Sequence, residues 1–153
     1  MNFSDFYDYL SKFELGKVVI IGLGNSNRGD DGAGLYLLNQ LRKNKQLQSV
    51  NILAVGRTPE NYLEKITSIA PELVVFIDAI SNARKNSIQL IDSDAIANKG
   101  FTTHSYSLTL VEDYLKNYND MEIRYLAIPV EEVATRDRIS EKTRTMISNF
   151  LSN

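Results

Sequence analysis

The chain has 153 residues, 43% of them hydrophobic and 24% charged, with a formal net charge of −2 and an isoelectric point near 5.4. That is the length of one domain with a core able to hold itself together, it shows no basic cluster of the kind a nucleic-acid binder carries, and it contains no cysteine for a disulfide, a thiolate metal site or a thiol nucleophile. No apolar run approaches the ~20 residues that span a bilayer, and the opening MNFSDFYDYLSKF has neither the basic start nor the apolar middle of a signal peptide, so a cytoplasmic protein with no membrane or nucleic-acid partner is expected.

Phe3, Phe6, Tyr7 and Leu10 recur at helical spacing, and Ser4 is placed to cap them. Residues 1–14 are therefore expected to form an amphipathic helix, an extension packed on the domain or on a partner, ahead of a core at 17–151. Val18 to Ile21 form an unbroken β-branched run, the pattern of a strand buried on both faces. GLYLLNQLRK follows with Leu35, Leu38 and Leu41 on one helical face. VNILAV (50–55) reads as a second strand. TPENYLEKITSI reads as a helix with Pro59 at its start and Leu63, Ile66 and Ile69 on one side.

ELVVFIDAI is the strongest strand pattern in the chain, and the strand is expected to end at Asp78. SIQLID (87–92) alternates and suits an edge strand. SYSLTLVEDYLKNY places Leu108, Val111, Leu115 and Tyr118 on one stripe. MEIRYLAI (121–128) is the last strand, and SEKTRTMISNFL is a closing helix capped by Ser140. RDRISEKTR (136–144) mixes bases with acids and reads as a solvated helix entry. Strands alternating with helices predict a single α/β domain over 1–153, a three-layer sandwich with a twisted, mostly parallel sheet flanked by helices. Ligands in such sheets bind beyond the carboxyl ends of the strands.

The loop GLGNSNRGDDGAG (22–34) joins the first strand to the first core helix, where a glycine-rich turn commonly cradles phosphate. Here the third glycine of a dinucleotide fingerprint is replaced by Asn27, and no Gly-Lys-Ser/Thr follows. Asp30 and Asp31 stand where the anion would sit, and their charge repels one. Gly22, Gly24, Asn25, Gly29, Gly32 and Gly34 instead suit tight backbone geometry that holds an acid in place. Helix capping remains open for this pair, with Asp30 the candidate for capping or loop shaping. Asp78 either faces the crevice or caps the turn after it. His104, the lone histidine, lies in the polar loop Thr102, Thr103, His104, Ser105 just before a helix. Two carboxylates and an imidazole at one sheet edge suit a divalent transition metal, and zinc, nickel, manganese and iron all remain candidates.

The segments GLGNSNRGDDGAG, GRTPENYL, VVFIDAI and TTHSYSL, with the ending AIPVEEVATRDRISEKTRTMISNF, together resemble the NiFe hydrogenase maturation proteases over residues 17–151. The resemblance implies an aspartate- and metal-dependent endopeptidase, an enzyme activator that removes a C-terminal extension from a nickel-loaded hydrogenase large-subunit precursor. It maps the metal contacts, and with them the catalytic site, onto Asp31, Asp78 and His104. It implies that the nickel belongs to the substrate rather than to a permanently bound cofactor, with zinc or cadmium able to substitute in vitro. Arg57 and Glu60 in GRTPENYL can hold a substrate end or simply be surface charges. HExxH is absent, so the metal can act as Lewis acid or as anchor for a carboxylate base. Two other readings stand beside this one: a receiver-like phosphoacceptor domain, which lacks its lysine after the last strand, and a non-catalytic assembly chaperone with the same fold.

Overall fold

The computed structural model describes residues 1–81, 83, 85–97, 105–131 and 138–153. In chain order the elements are α1 (Phe3–Leu10), β1 (Val18–Leu23), α2 (Ala33–Leu41), β2 (Asn51–Gly56), α3 (Leu63–Ile69), β3 (Leu73–Ser81), β4 (Gln89–Asp92), α4 (Ser93–Ala97), α5 (Ser105–Tyr118), β5 (Glu122–Val130) and α6 (Glu141–Leu151). The strands form one sheet in the order β2-β1-β3-β5-β4. Every neighbouring pair is parallel except β4, which runs antiparallel to β5 on the edge. This is the expected α/β sandwich.

The central strands β1 and β3 are apolar on both faces because both faces are covered. On one face Val18, Ile20, Leu73, Val75 and Ile77 meet α1, α2 and α6. On the other, Val19, Ile21, Val74, Phe76 and Tyr125 meet α3 and α5. The expected VNILAV strand is β2, shifted by one residue, and SIQLID supplies β4 on the edge. Pro59 opens a 3-10 turn, Pro59–Tyr62, that leads into α3, so the helix itself starts later than the pattern suggests.

Several local expectations are corrected. The cap of α1 is Asn2, not Ser4: the Asn2 side chain accepts from the Asp5 N–H at 2.9 Å and the Asp5 carboxylate accepts from the Asn2 N–H at 3.1 Å. That reciprocal capping box outcompetes a lone serine. In α2 the buried residues are Leu37, Leu38 and Leu41, and Leu35 is only half-buried, because the helix turns its 37–41 arc to the sheet. Tyr118 is 57% exposed, since the last turn of α5 overhangs the sheet's starting edge, where Asn119 already hydrogen-bonds the Pro71 carbonyl. Finally, β3 does not stop at Asp78 but continues to Ser81, because β5 keeps pairing with it as far as Val130.

α1 is packed on the domain. Phe3, Phe6 and Leu10 enter the core shared by α2 and α6, the Phe6 ring lies 6.1 Å from Phe150, and the Tyr9 hydroxyl donates to Glu122 at the base of β5. Full burial of side chains this size contributes about 2 kcal/mol each. Phe6→Ala is expected to lower unfolding stability by about 3–5 kcal/mol in a denaturant titration, as for any large buried ring. A loss below 1 kcal/mol would mean that α1 is a removable appendage.

Candidate metal-recognition site

The sheet changes direction of winding between β1 and β3, since β2 lies on one side of β1 while β5 and β4 lie beyond β3. A crevice opens at such a switch point. β1 pairs with β3 only as far as Gly22 opposite Ile77. Asp78 is thus the first residue of β3 beyond the reach of β1, while β5 still flanks it through Ala127.

The loop after β1 closes on itself at this point. The Gly24 N–H bonds the Gly56 carbonyl, the Asn25 N–H bonds the Asp31 carbonyl, and the Asn25 side chain accepts from the Asn27 N–H. Gly24 has φ of 124°, and a Cβ there would stand 2.1 Å from the Asp31 carbonyl oxygen, so a side chain is excluded on both grounds. The 3-10 turn Gly29–Gly32 then carries Asp30 and Asp31 into α2. Gly34 wedges the start of α2 between the strands: a Cβ would lie 2.5 Å from both the Leu23 and Ile77 carbonyl oxygens. The glycines therefore hold the turn that bears Asp31 against the end of β1 and the middle of β3.

The two acids of that turn have different surroundings. The Asp30 carboxylate accepts from the Ser140 N–H at 2.7 Å, the Ser140 hydroxyl at 2.8 Å and the Thr143 hydroxyl at 3.0 Å. Ser140 caps α6 as expected, accepting from the Thr143 N–H. Asp30 thus shapes the loop by tying it to the first turn of α6, rather than by capping α2. Both acids are buried. Asp31 has no side-chain bond of this kind among the described residues, and its charge is felt at Asp78.

Asp78 is 2% exposed. One carboxylate oxygen accepts from the Ala79 N–H at 2.9 Å; the other, Oδ2, is buried with no partner among the described residues. Burial, and to a lesser degree the Asp31 charge, push this carboxyl up to about 8, against the opposing pull of the Ala79 bond. A buried acid pair with one orphaned oxygen is costly as it stands and fits a cation, which would accept the lone pair and cancel the repulsion. Among the described residues no third ligating side chain joins them. His104 lies outside the described residues, as do Thr102 and Thr103 beside it. Arg57 and Glu60 are exposed at the 3-10 turn before α3, with no distinguishing partner among the described residues.

A second polar contact in this layer carries no mark in the linear motifs. Tyr125, 2% exposed on β5, donates its hydroxyl to Glu112, 9% exposed on the inner side of α5. The signal for it was an acid on the helix's apolar arc: Glu112 shares that arc with Leu108, Val111 and Leu115.

Comparison with known proteins bears on the family and the fold. No family model matches the chain. A candidate hydrogenase maturation protease of Methanocaldococcus jannaschii is 30% identical over 120 residues, 73% of this chain and 71% of that protein. The hydrogenase 3 maturation protease of Escherichia coli is 33% identical over 100 residues, a stretch that spans 64% of either protein. A NiFe hydrogenase maturation protease of Thermococcus kodakarensis superposes with a TM-score of 0.77 at 28% identity, covering 94% of this chain and 91% of its own. The fold is an α/β domain covered on both faces of its sheet, and these similarities place it in the peptidase class. Within that class the chain belongs to the hydrogenase maturation proteases.

Two outcomes follow from the two acids. Asp30→Ala leaves Ser140 and Thr143 without their acceptor and is expected to lower stability by about 1–3 kcal/mol in denaturant unfolding. Asp78 holds its proton in the folded state up to about pH 8 but loses it near 3.8 when unfolded. The folded state therefore binds the extra proton, and stability falls as pH rises from about 4 to about 8. In metal-free buffer, thermal melts of Asp78→Asn should lack that fall, so the variant gains on wild type across this window. Parallel pH profiles for the two proteins would contradict the buried, cation-free carboxyl.

Proposed function

We propose that this protease removes a C-terminal extension from a hydrogenase large-subunit precursor after nickel has been inserted, and that Asp31, Asp78 and His104 present ligands to that nickel. The observation that carries the reading is the orphaned Oδ2 of Asp78, buried beside Asp31 where β1 leaves the sheet. An acid in that setting gains most from a cation delivered by another molecule. The similarity to hydrogenase maturation proteases supplies the substrate class. No helix of the described residues is long and apolar enough to cross a membrane.

In this reading nickel belongs to the substrate and marks it as ready. Zinc or cadmium occupies the same three ligands in vitro, because carboxylate and imidazole donors do not discriminate strongly among such ions. The site's contribution to the cleavage is placement: once the metal is seated, the extension lies over the carboxyl ends of β1 and β3. Holding the scissile bond and a reacting group in register is worth ~7–11 kcal/mol of barrier when the geometry is right. The chain then acts as a protease whose specificity is the loaded state of its partner.

The test is a processing assay with purified precursor, read by the mass of its C-terminus. Nickel-loaded precursor should lose its extension with wild-type protein, and nickel-free precursor should not. Asp31→Ala, Asp78→Ala and His104→Ala should each slow cleavage at least ~100-fold while melting temperatures stay level or rise slightly, since removing one of two neighbouring acids relieves repulsion. Equal cleavage of nickel-free precursor would overturn the metal-recognition reading. A large drop in melting temperature for Asp31→Ala or Asp78→Ala would point instead to a structural capping role.

A further inference from the structure

The start of α1, the loop leading into β4 and one side of α6 enclose an open groove of about 480 Å³, the size of a site for a small ligand or a short stretch of peptide. Its floor is apolar: Ile88 and Phe150 are buried there, with Met146 half-buried beside them. Its rim is polar. Asn86 comes from the loop, and Thr145 and Asn149 stand one turn apart on α6. None of these three side chains has a hydrogen-bond partner among the described residues. The charged groups of the rim are already engaged, Lys142 with Glu131 and Asp5 with the Asn2 N–H at 3.1 Å. What the groove offers an occupant is therefore two carboxamides and a hydroxyl, each able to donate and to accept. Such groups match a polypeptide backbone, which brings one N–H and one C=O per residue and no charge. A phosphate or a free carboxylate calls for an uncommitted cation instead.

The groove is also in line with the acids of the site. Gln89, the residue after Ile88, pairs with Ala127, and Ala127 pairs on its other side with Asp78. The groove wall at Ile88 thus lies two strand spacings, about 10 Å, from Asp78 across the sheet. α6 makes a second connection. Ser140 and Thr143 bond Asp30, the neighbour of Asp31, and Lys142 between them opens the groove. From Lys142 to Asn149 the helix runs about 10 Å onward from that anchor. An extended chain leaving the two acids reaches the groove in about three residues and lies along α6 for about three more.

We infer that this groove is the docking site for an extended segment of the hydrogenase precursor, whose backbone bonds Asn86, Thr145 and Asn149 while one of its side chains rests on Ile88 and Phe150. The inference rests on the proposed seating of the precursor's nickel at Asp31 and Asp78. The metal reports that the precursor is loaded; the groove holds the chain beside it in an extended form.

The chain has no cysteine, so Asn149→Cys provides a single attachment point for a benzophenone photocross-linker. Lys65→Cys, exposed on α3 against the opposite face of the sheet, provides the control. Each labelled protein is illuminated with purified precursor, and the cross-linked peptides are mapped by mass spectrometry. Expected is one short precursor segment joined to Asn149→Cys, at least tenfold above the yield from Lys65→Cys. Equal yields from the two positions, cross-links scattered over the precursor, or cross-links to a second copy of this chain would each overturn the inference. Thr145→Trp, which fills the groove from an exposed helix position, is then compared with wild type in the processing assay at matched melting temperature. The loss should fall on KM, about tenfold higher, rather than on kcat; an unchanged KM counts against the groove. If nickel-free precursor is cut as well as loaded precursor, the metal reading falls while the cross-link map still decides the groove. If cleavage needs nickel and Thr145→Trp has the wild-type KM, the groove falls and the metal reading stands.

Discussion

The architecture of the site depends on how closely backbone can approach backbone where β1 and β3 part. α2 begins against the carbonyls of Leu23 and Ile77, at a distance that leaves no room for even a methyl group on Gly34. The turn before it folds under Gly24, again without space for a side chain. These two close approaches bring the carboxylate of Asp31 within electrostatic reach of Asp78. Larger residues would push the helix outward and separate the acids. The glycines serve contact rather than flexibility.

A consequence is that the site draws on both covered faces of the sheet. The loop carrying Asp31 continues into α2, on the face shared with α1 and α6, and Asp30 is tied to α6 itself. Asp78 lies with Phe76 and Ile80 on the other face, where α3 and α5 pack. The crevice is thus bounded by elements from two separate apolar layers with one strand between them. Its geometry follows from the fold as a whole, and no single supersecondary unit contains it.

Much of this could be read directly from the residues, and the misses have identifiable causes. Unbroken β-branched runs announced β1 and β3, because strands buried on two faces have no polar alternation to blur them. β3 runs past its expected end because Ala79 to Ser81 pair with Ile128, Pro129 and Val130, partners 49 residues away that local pattern does not reveal. Asn2 and Ser4 are both good caps, and the choice between them lay in the side chain of Asp5. With four leucines in α2, the arc that faces inward depends on how the helix crosses the sheet. Asp30 and Asp31 look alike in sequence, and what separates them is a serine and a threonine more than a hundred residues later. Of the candidate site, Asp78 and the Asp31 loop were legible as chemistry at a strand end; the Glu112–Tyr125 contact was visible only as a misplaced acid on an apolar arc.

The different duties of the adjacent aspartates bear on electrical neutrality. Three donors at the start of α6, two from its cap Ser140 and one from Thr143, already engage both oxygens of Asp30. Asp31 has no such donors among the described residues, and the carboxyl it acts on, Asp78, limits the local charge by holding its own proton up to about pH 8 in metal-free protein. One acid of the group is stabilised by hydrogen bonds from a distant helix, the strand-end acid by a proton.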